Sequence, residues 1–221
     1  MNQHHIDETI IALTHSLEGA DESAAEEKKV ADETLEEVDV HRAFLTIDGE
    51  TIPFQTVTVL DGKLSLRIPK TFRLMRPEEA RLKYPSEHRP EFIYTDETHT
   101  LNLAFNLTST LLDESELEDF QQAMCQMMRS TQPIERWLGE HEEIIDERKT
   151  GACEFVIPTL NSSVYNLMLF ASVNDRALLI TFNCLEEQQP EWKPVAQAML
   201  RSIRWNAGDI HNAALQGGIG R

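Results

Sequence analysis

The alternation of apolar and polar residues predicts a fold made largely of β-hairpins. Two alternating runs, 54–60 and 63–69, are separated by the turn pair Asp61-Gly62. An Asp-Gly pair between two such runs is a strong hairpin signal, since these residues tolerate the backbone angles of a two-residue turn. The same reasoning predicts three further strand pairs: 92–95 with 100–107, 140–147 with 152–157 around Lys149-Thr150-Gly151, and 164–173 with 177–185 around Asn174-Asp175.

A different spacing, of three and four residues, predicts helices between these strands. The clearest is 115–131, where Ser115 and Glu118 form a capping box at the start. A shorter helix is expected after Pro77, and another begins near Pro190 and buries Trp192. Hairpins interrupted by helices indicate an α+β fold, in which an antiparallel sheet is covered by helices.

The charge distribution divides the chain into three parts. Of the net charge of −18, residues 1–40 contribute −10, with twelve acids against two lysines. The few apolar residues of this segment cannot offset the conformational entropy that it would lose on becoming ordered. We therefore predict a flexible acidic extension over 1–40. Residues 41–206 are then a single α+β domain, and the glycine-rich residues 207–221 a flexible tail. The acidic balance disfavours nucleic acid and anionic membrane as partners.

The features of a signal peptide bear on the cellular compartment of the protein. The first residues carry no basic region and only a short apolar run, so we expect a cytoplasmic protein. Cys125, Cys153 and Cys184 are odd in number and lie in apolar runs. We therefore expect three reduced, buried thiols rather than nucleophiles or disulfides.

No catalytic, cofactor or metal site is predicted from motifs, because none of the common nucleotide, hydrolase or zinc signatures is present. His141 with Glu142, Glu143 and Asp146 offers too few ligands on one strand face and is expected to be solvated. A second grouping is His88, Tyr94, Asp96 and His99, which flank one predicted strand pair. These residues support the alternative that the chain is a small enzyme.

Four apolar residues are candidates for contacting a partner. Met124, Met127 and Met128 form one face of the predicted helix at 115–131, and Trp137 follows it. Flexible thioethers suit surfaces that accept varied apolar partners, but methionines also fill gaps beneath a helix packed on a sheet. Exposure decides between the two interpretations.

Three segments together resemble the PsbP/DcrB-like superfamily. Residues 63–72, which read KLSLRIPKTF, resemble its opening strand and turn. The pair 164–173 and 177–185, followed by a helix ending in AMLRSIRW, resembles its closing hairpin and helix. The resemblance covers about 52–205 and implies an antiparallel sheet sandwiched by helices. Its members are mostly non-enzymatic: a photosystem subunit, a Ran-binding import factor and chaperones for secreted bacterial effectors. They share no functional residue that could be carried over.

Two hypotheses follow from the sequence. The first is a non-enzymatic, cytoplasmic, chaperone-like accessory module without a cofactor. Its partner would be another protein or a second copy of the chain. The second is the small enzyme with a site around His88, His99 and nearby carboxylates. An exposed apolar surface favours the first hypothesis, and a pocket with convergent polar groups favours the second.

Overall fold

The computed structural model describes residues 38–84 and 89–206, and these form two antiparallel sheets. The smaller sheet has the order β1-β2-β3-β11, and the larger has the order β4-β5-β6-β10-β9-β8-β7. The strands of the smaller sheet are β1 (Phe44–Ile47), β2 (Glu50–Val59), β3 (Leu64–Pro69) and β11 (Arg204–Trp205). The strands of the larger sheet are β4 (Arg73–Leu74), β5 (Phe92–Thr95), β6 (Asn102–Leu111), β7 (Arg136–Ile145), β8 (Arg148–Pro158), β9 (Ser163–Val173) and β10 (Arg176–Leu185).

Helices cover both faces of the larger sheet. Within the described residues they are α1 (Pro77–Lys83), α2 (Leu117–Thr131) and α3 (Gln189–Arg201). One face packs against α3 and the smaller sheet in a first core cluster, and the opposite face packs against α1 and α2 in a second. The α+β fold class expected from the sequence, an antiparallel sheet of hairpins covered by helices, is confirmed.

The central strands are apolar on both faces because both faces are buried. Along β9, Leu167 and Leu169 enter the first core cluster, while Met168 and Phe170 enter the second. Successive side chains of a strand point to opposite faces, so a strand covered on both sides reads as a continuous apolar run. No helix among the residues described here is long and apolar enough to cross a membrane.

The predicted hairpins are confirmed, with different bounds at several ends. Residues 54–60 and 63–69 correspond to β2 and β3, which form part of the smaller sheet. The turn predicted at Lys149-Thr150-Gly151 is wrong, because the chain turns at Asp146 and Glu147, both with positive φ. The sequence interpretation placed the turn too late in the chain. An Asp-Glu pair, as at 146–147, is a weaker turn signal than one containing glycine.

The start of α2 also differs from its prediction. A 3-10 turn at Glu114–Glu116 precedes the helix, and the capping side chain is Asp113 rather than Ser115. Asp113 Oδ1 accepts hydrogen bonds from the Ser115 hydroxyl at 2.6 Å and from the Ser115 amide at 2.8 Å, and both bonds lower the pKa of the Asp113 carboxyl. The reciprocal contact comes from Glu116.

The predicted domain limits fall partly outside the residues that the structure describes. Residues 1–37 of the acidic extension, the segment 85–88 with His88, and the tail 207–221 lie outside them. Val40, which the sequence placed at the end of the extension, is buried in the first core cluster. The folded region therefore includes at least the last residues of the segment assigned to the extension.

Candidate functional site

The three methionines of α2 divide into core and surface. Met124 and Met128 are 2% and 0% exposed and belong to the second core cluster, so neither can contact a partner. Their burial follows from helical spacing, since residues four apart lie on the same face of α2. Met127 is partly buried and packs against the rim of that cluster. Of the three, only Met127 remains a candidate contact residue.

Trp137 lies at the start of β7, where α2 meets the sheet edge. Its ring stacks on Phe155 with 5.8 Å between centroids, and the Arg129 guanidinium lies 4.1 Å above the ring centroid. The ring is therefore held between a core aromatic and a cation, and it is only partly exposed. Its indole Nε1 is buried and has no hydrogen-bond partner among the described residues.

The strand that carries Trp137 is the last of the larger sheet. β7 pairs with β8 on one side, and no described strand pairs with its other side. Alternate residues of an edge strand direct their N–H and C=O groups away from the sheet, so β7 presents a row of backbone donors and acceptors. The register shifts between Trp137 and Gly139, where Leu138 is 41% exposed. Farther along, Ile144 is 72% exposed.

Acidic side chains line the same strand. Glu140 forms an ion pair of 3.5 Å with Arg129, and Glu143 forms one of 2.9 Å with Arg201 of α3. His141 lies 3.9 Å from Glu143, which places the predicted His/Glu grouping on an exposed surface. Glu142 has no ion pair within the described part of the chain. Among residues 38–84 and 89–206, no group of three His, Cys, Asp or Glu side chains could hold a metal ion.

Of the described residues proposed for the alternative enzyme site, Asp96 and His99 share one turn, whereas Tyr94 packs against the first core cluster. Asp96 accepts hydrogen bonds from the Leu101 and Thr98 amides, so it stabilises its own turn. Tyr94 packs edge-on against Phe105 in the first core cluster, on the opposite face from Thr95. The His99 ring lies 3.5 Å from Arg73. His88 lies outside the described residues.

A polar network not foreseen from the sequence lies beside His99. Lys83 at the end of α1 donates to the His99 carbonyl and to Asn102 Oδ1, the latter at 3.1 Å. Asn102, which is 0% exposed, donates to Asn183 Oδ1 at 2.9 Å and accepts from the Thr95 hydroxyl at 2.9 Å. Burial lowers the pKa of Lys83 to about 8. This network fastens α1 to three strands of the sheet.

A second buried polar group was also missed. Glu154 of β8 accepts from the Tyr165 hydroxyl at 2.8 Å and from Gln197 at 3.1 Å, and it pairs with Lys193 at 2.6 Å. Burial, with Glu154 beside it, raises the pKa of Tyr165. A single acid within the apolar run of β8 was the sequence signal for such a pair. Both carboxylate oxygens of Glu154 therefore have partners. Since Lys193 and Gln197 belong to α3, the cluster joins α3 to β8.

An open cavity lies next to this cluster. Its volume is about 1030 Å³, and it separates the segment 38–41 from α3. Lys193 and Gln197 border it, but both side chains bond to Glu154. The cavity walls carry both signs of charge and identify no particular ligand.

The three cysteines are free and buried, as expected. Cys125 of α2 contacts Cys153 of β8, and burial raises the pKa of Cys153 well above its ordinary value. Burial also raises the pKa of Cys184 to about 12. A thiol with a raised pKa carries little thiolate near neutral pH, so neither Cys153 nor Cys184 resembles an activated nucleophile.

Comparison with known proteins gives a likeness in fold. No protein-family model and no curated protein matches the sequence. The cyanobacterial PsbP of Synechocystis sp. PCC 6803 matches with a TM-score of 0.49 and 11% identity, over 69% of this chain and 92% of that one. LpqN of Mycobacterium tuberculosis matches with 0.45 and 11%, over 71% and 92%. A putative regulator of unknown function from Pseudomonas aeruginosa matches with 0.39 and 8%, over 67% and 94%.

These three solved structures are similar to this chain in fold alone. At such identities and TM-scores the likeness concerns the fold and carries no conclusion about activity, ligand or partner. A functional conclusion must therefore come from the residues of this chain.

Proposed function

We propose that this chain is a non-catalytic accessory module of the cytoplasm that binds another protein in a chaperone-like manner. The observation that carries the proposal is the ten-residue strand β7, whose outer side pairs with no described strand. Leu138 is exposed next to Trp137 at its start, and Ile144 is exposed near its end. Exposed edges of this length favour pairing with another chain, so soluble proteins usually shorten or cover them.

The neighbouring helix extends the same surface. Met127 of α2 is partly buried beside the second core cluster, which Trp137 also contacts. Flexible methionine and rigid indole side chains together suit an interface, because each supplies apolar area without a charge to desolvate. We name β7 together with Met127 the edge surface.

The enzyme alternative has less support. A site of that kind needs a nucleophile or base with nearby groups oriented towards one reacting atom. Here Asp96 is engaged in a turn and Tyr94 packs in the core. The three thiols are buried, and burial raises the pKa values of Cys153 and Cys184.

The test is a pull-down from native lysate with the tagged full chain, followed by mass spectrometry. Wild type, Ile144→Lys and the control Thr46→Lys, which alters an exposed position of β1 in the smaller sheet, are compared at equal loading. We expect a protein captured by wild type and by the control but lost with Ile144→Lys. Capture of the same proteins by all three variants would contradict binding at the edge surface.

A further inference from the structure

The side chains of β7 follow a regular pattern on the face covered by α2. Glu140 is registered with Cys153, which belongs to the second core cluster, so Glu140 lies on that face. Glu142 and Ile144 follow at two-residue steps and share it. The exposed edge therefore shows two acids and then an apolar residue, each about 7 Å from the next.

One of these acids has no counter-charge among the residues that the structure describes. Glu140 is paired with Arg129, but Glu142 has no ion pair within the described residues, and neither does Glu147 in the adjoining turn. A side chain on a neighbouring strand would lie about 5 Å from its registered partner. A basic residue on an added strand would thus lie within ion-pairing distance of Glu142.

Pairing of β7 with the same strand of a second copy is disfavoured. Antiparallel pairing about this stretch would bring Glu142 of one copy close to Glu142 of the other, and like charges across strands are destabilising. The net charge of −18 adds repulsion between whole chains. The acids thus protect the edge from self-association while attracting a cationic strand.

From this geometry we infer that β7 binds an extended segment of a partner protein in which basic and apolar residues alternate. The segment adds as an eighth strand to the larger sheet. Backbone hydrogen bonds to β7 supply affinity, a basic side chain pairs with Glu142, and an apolar one covers Ile144. The inference rests on the proposed function and specifies the chemistry of the partner.

The probe is a fluorescein-labelled, ten-residue peptide of alternating lysine and valine, titrated into the full chain and followed by anisotropy. Its first control has the same residues with alternate backbone amides methylated, which removes donors from one edge of the peptide. We expect the methylated peptide to bind at least about tenfold more weakly, because strand addition depends on those donors. A second control replaces lysine with glutamate and is expected not to bind.

Location is tested by hydrogen exchange with and without the lysine–valine peptide. Amides of Arg136–Ile145 are expected to exchange at least about tenfold more slowly in the complex, because new hydrogen bonds protect them. The substitution Glu142→Lys is expected to weaken binding about fivefold, the scale for an exposed ion pair and its reversal. Glu50→Lys, the same charge change at the start of β2, is the matched control and should leave affinity within about twofold.

Several outcomes would overturn the inference. In hydrogen exchange, these are peptide binding without slower exchange of the β7 amides, or slow exchange of those amides through dimerisation in the absence of peptide. In anisotropy, they are a loss of affinity with Glu50→Lys equal to that with Glu142→Lys, or equal affinity for the methylated and unmethylated peptides. Binding through the acidic residues 1–40 alone would give the first of these outcomes. If the peptide fails while Ile144→Lys still loses its partner from lysate, only strand addition is excluded. If that partner is also retained, the proposed function fails as well.

Discussion

The two edges of the larger sheet are built in contrasting ways. At one edge, β4 has two residues, and Arg73 on it donates to both Glu79 oxygens at 2.7 and 3.0 Å. Hydrogen bonds from Arg73 and Arg76 hold the pKa of the Glu79 carboxyl well below its usual range. Behind this edge, Lys83 bonds to buried Asn102. At the other edge, β7 has ten residues and no described neighbour on its outer side.

We expect this difference to separate stability from the proposed binding of a partner. The β4 edge is short and joined to the core by polar contacts, so changing it should cost stability. The β7 edge offers unpaired backbone groups, so changing its exposed side chains should cost binding and little stability. We call these the closed edge and the open edge. Substitutions at each edge test whether the two properties can be altered independently.

Apart from the buried-residue controls, the largest effect is expected behind the closed edge, from Asn102→Ala. The change removes the acceptor of Lys83 and Thr95 and the donor to Asn183, all of them buried or half-buried. Leaving such partners unsatisfied should lower the free energy of unfolding by about 2–4 kcal/mol. Urea unfolding at pH 7 measures it. Asn106→Ala, four residues along β6 and partly exposed, is the control and should cost less than half as much.

A smaller effect at the closed edge depends on pH. Because burial lowers the pKa of Lys83 to about 8, the folded chain releases this proton near pH 8, whereas the unfolded chain keeps it to about 10.4. The unfolded state then binds more protons, so stability from this group rises with pH, by about 1 kcal/mol between pH 7 and 9.

The raised pKa values of Tyr165 and Cys184 act in the opposite direction above about pH 9, since only the unfolded state loses those protons there. The informative quantity is therefore the difference between wild type and Lys83→Met in urea titrations at pH 7, 8 and 9. A difference that stays constant over this range would contradict a lysine titrating near pH 8.

Local sequence signals were enough to predict most elements but not the two edges. The turn residues Asp61-Gly62 and Asn174-Asp175 marked hairpins because their backbone preference is local. The three glutamates of β7 distinguish it from the continuous apolar run of β9, but strand order is set by packing between distant segments, so they do not fix its place in the sheet. The exposed Leu138 and Ile144 resembled ordinary strand residues.

Candidate site residues were predicted in part, for the same reason. Helical spacing placed Met124, Met127 and Met128 on one side of α2, but only the tertiary structure separates the two buried residues from the rim residue. Lys83 gave no signal, because its partners lie 16 and 19 residues away on other elements. Contacts of that kind depend on topology and not on spacing.

On the edge surface, Met127→Glu should change stability only modestly. Met127 is partly exposed at the rim of the core, so a carboxylate there can reach water and should cost about 1 kcal/mol or less. Met128→Glu is the matched control on the adjacent, 0% exposed residue, where an uncompensated buried charge should cost more than about 4 kcal/mol. Thermal and urea unfolding compare the two. Unfolding by Met127→Glu would place this residue in the core and remove it from the edge surface.

The smallest effect on stability is expected from Ile144→Lys. The side chain is 72% exposed, so its replacement loses little buried area and should change the free energy of unfolding by no more than about 0.5 kcal/mol. The adjacent Ile145 is 3% exposed on the opposite face, so Ile145→Lys is the matched control and should cost about 3 kcal/mol or more.

On the open edge, however, a lysine at 144 repels a cationic strand and removes the apolar contact. Affinity for the lysine–valine peptide should therefore fall about tenfold while urea unfolding is unchanged. Loss of stability equal to that of Ile145→Lys, or unchanged peptide affinity, would show that the open edge does not separate binding from folding.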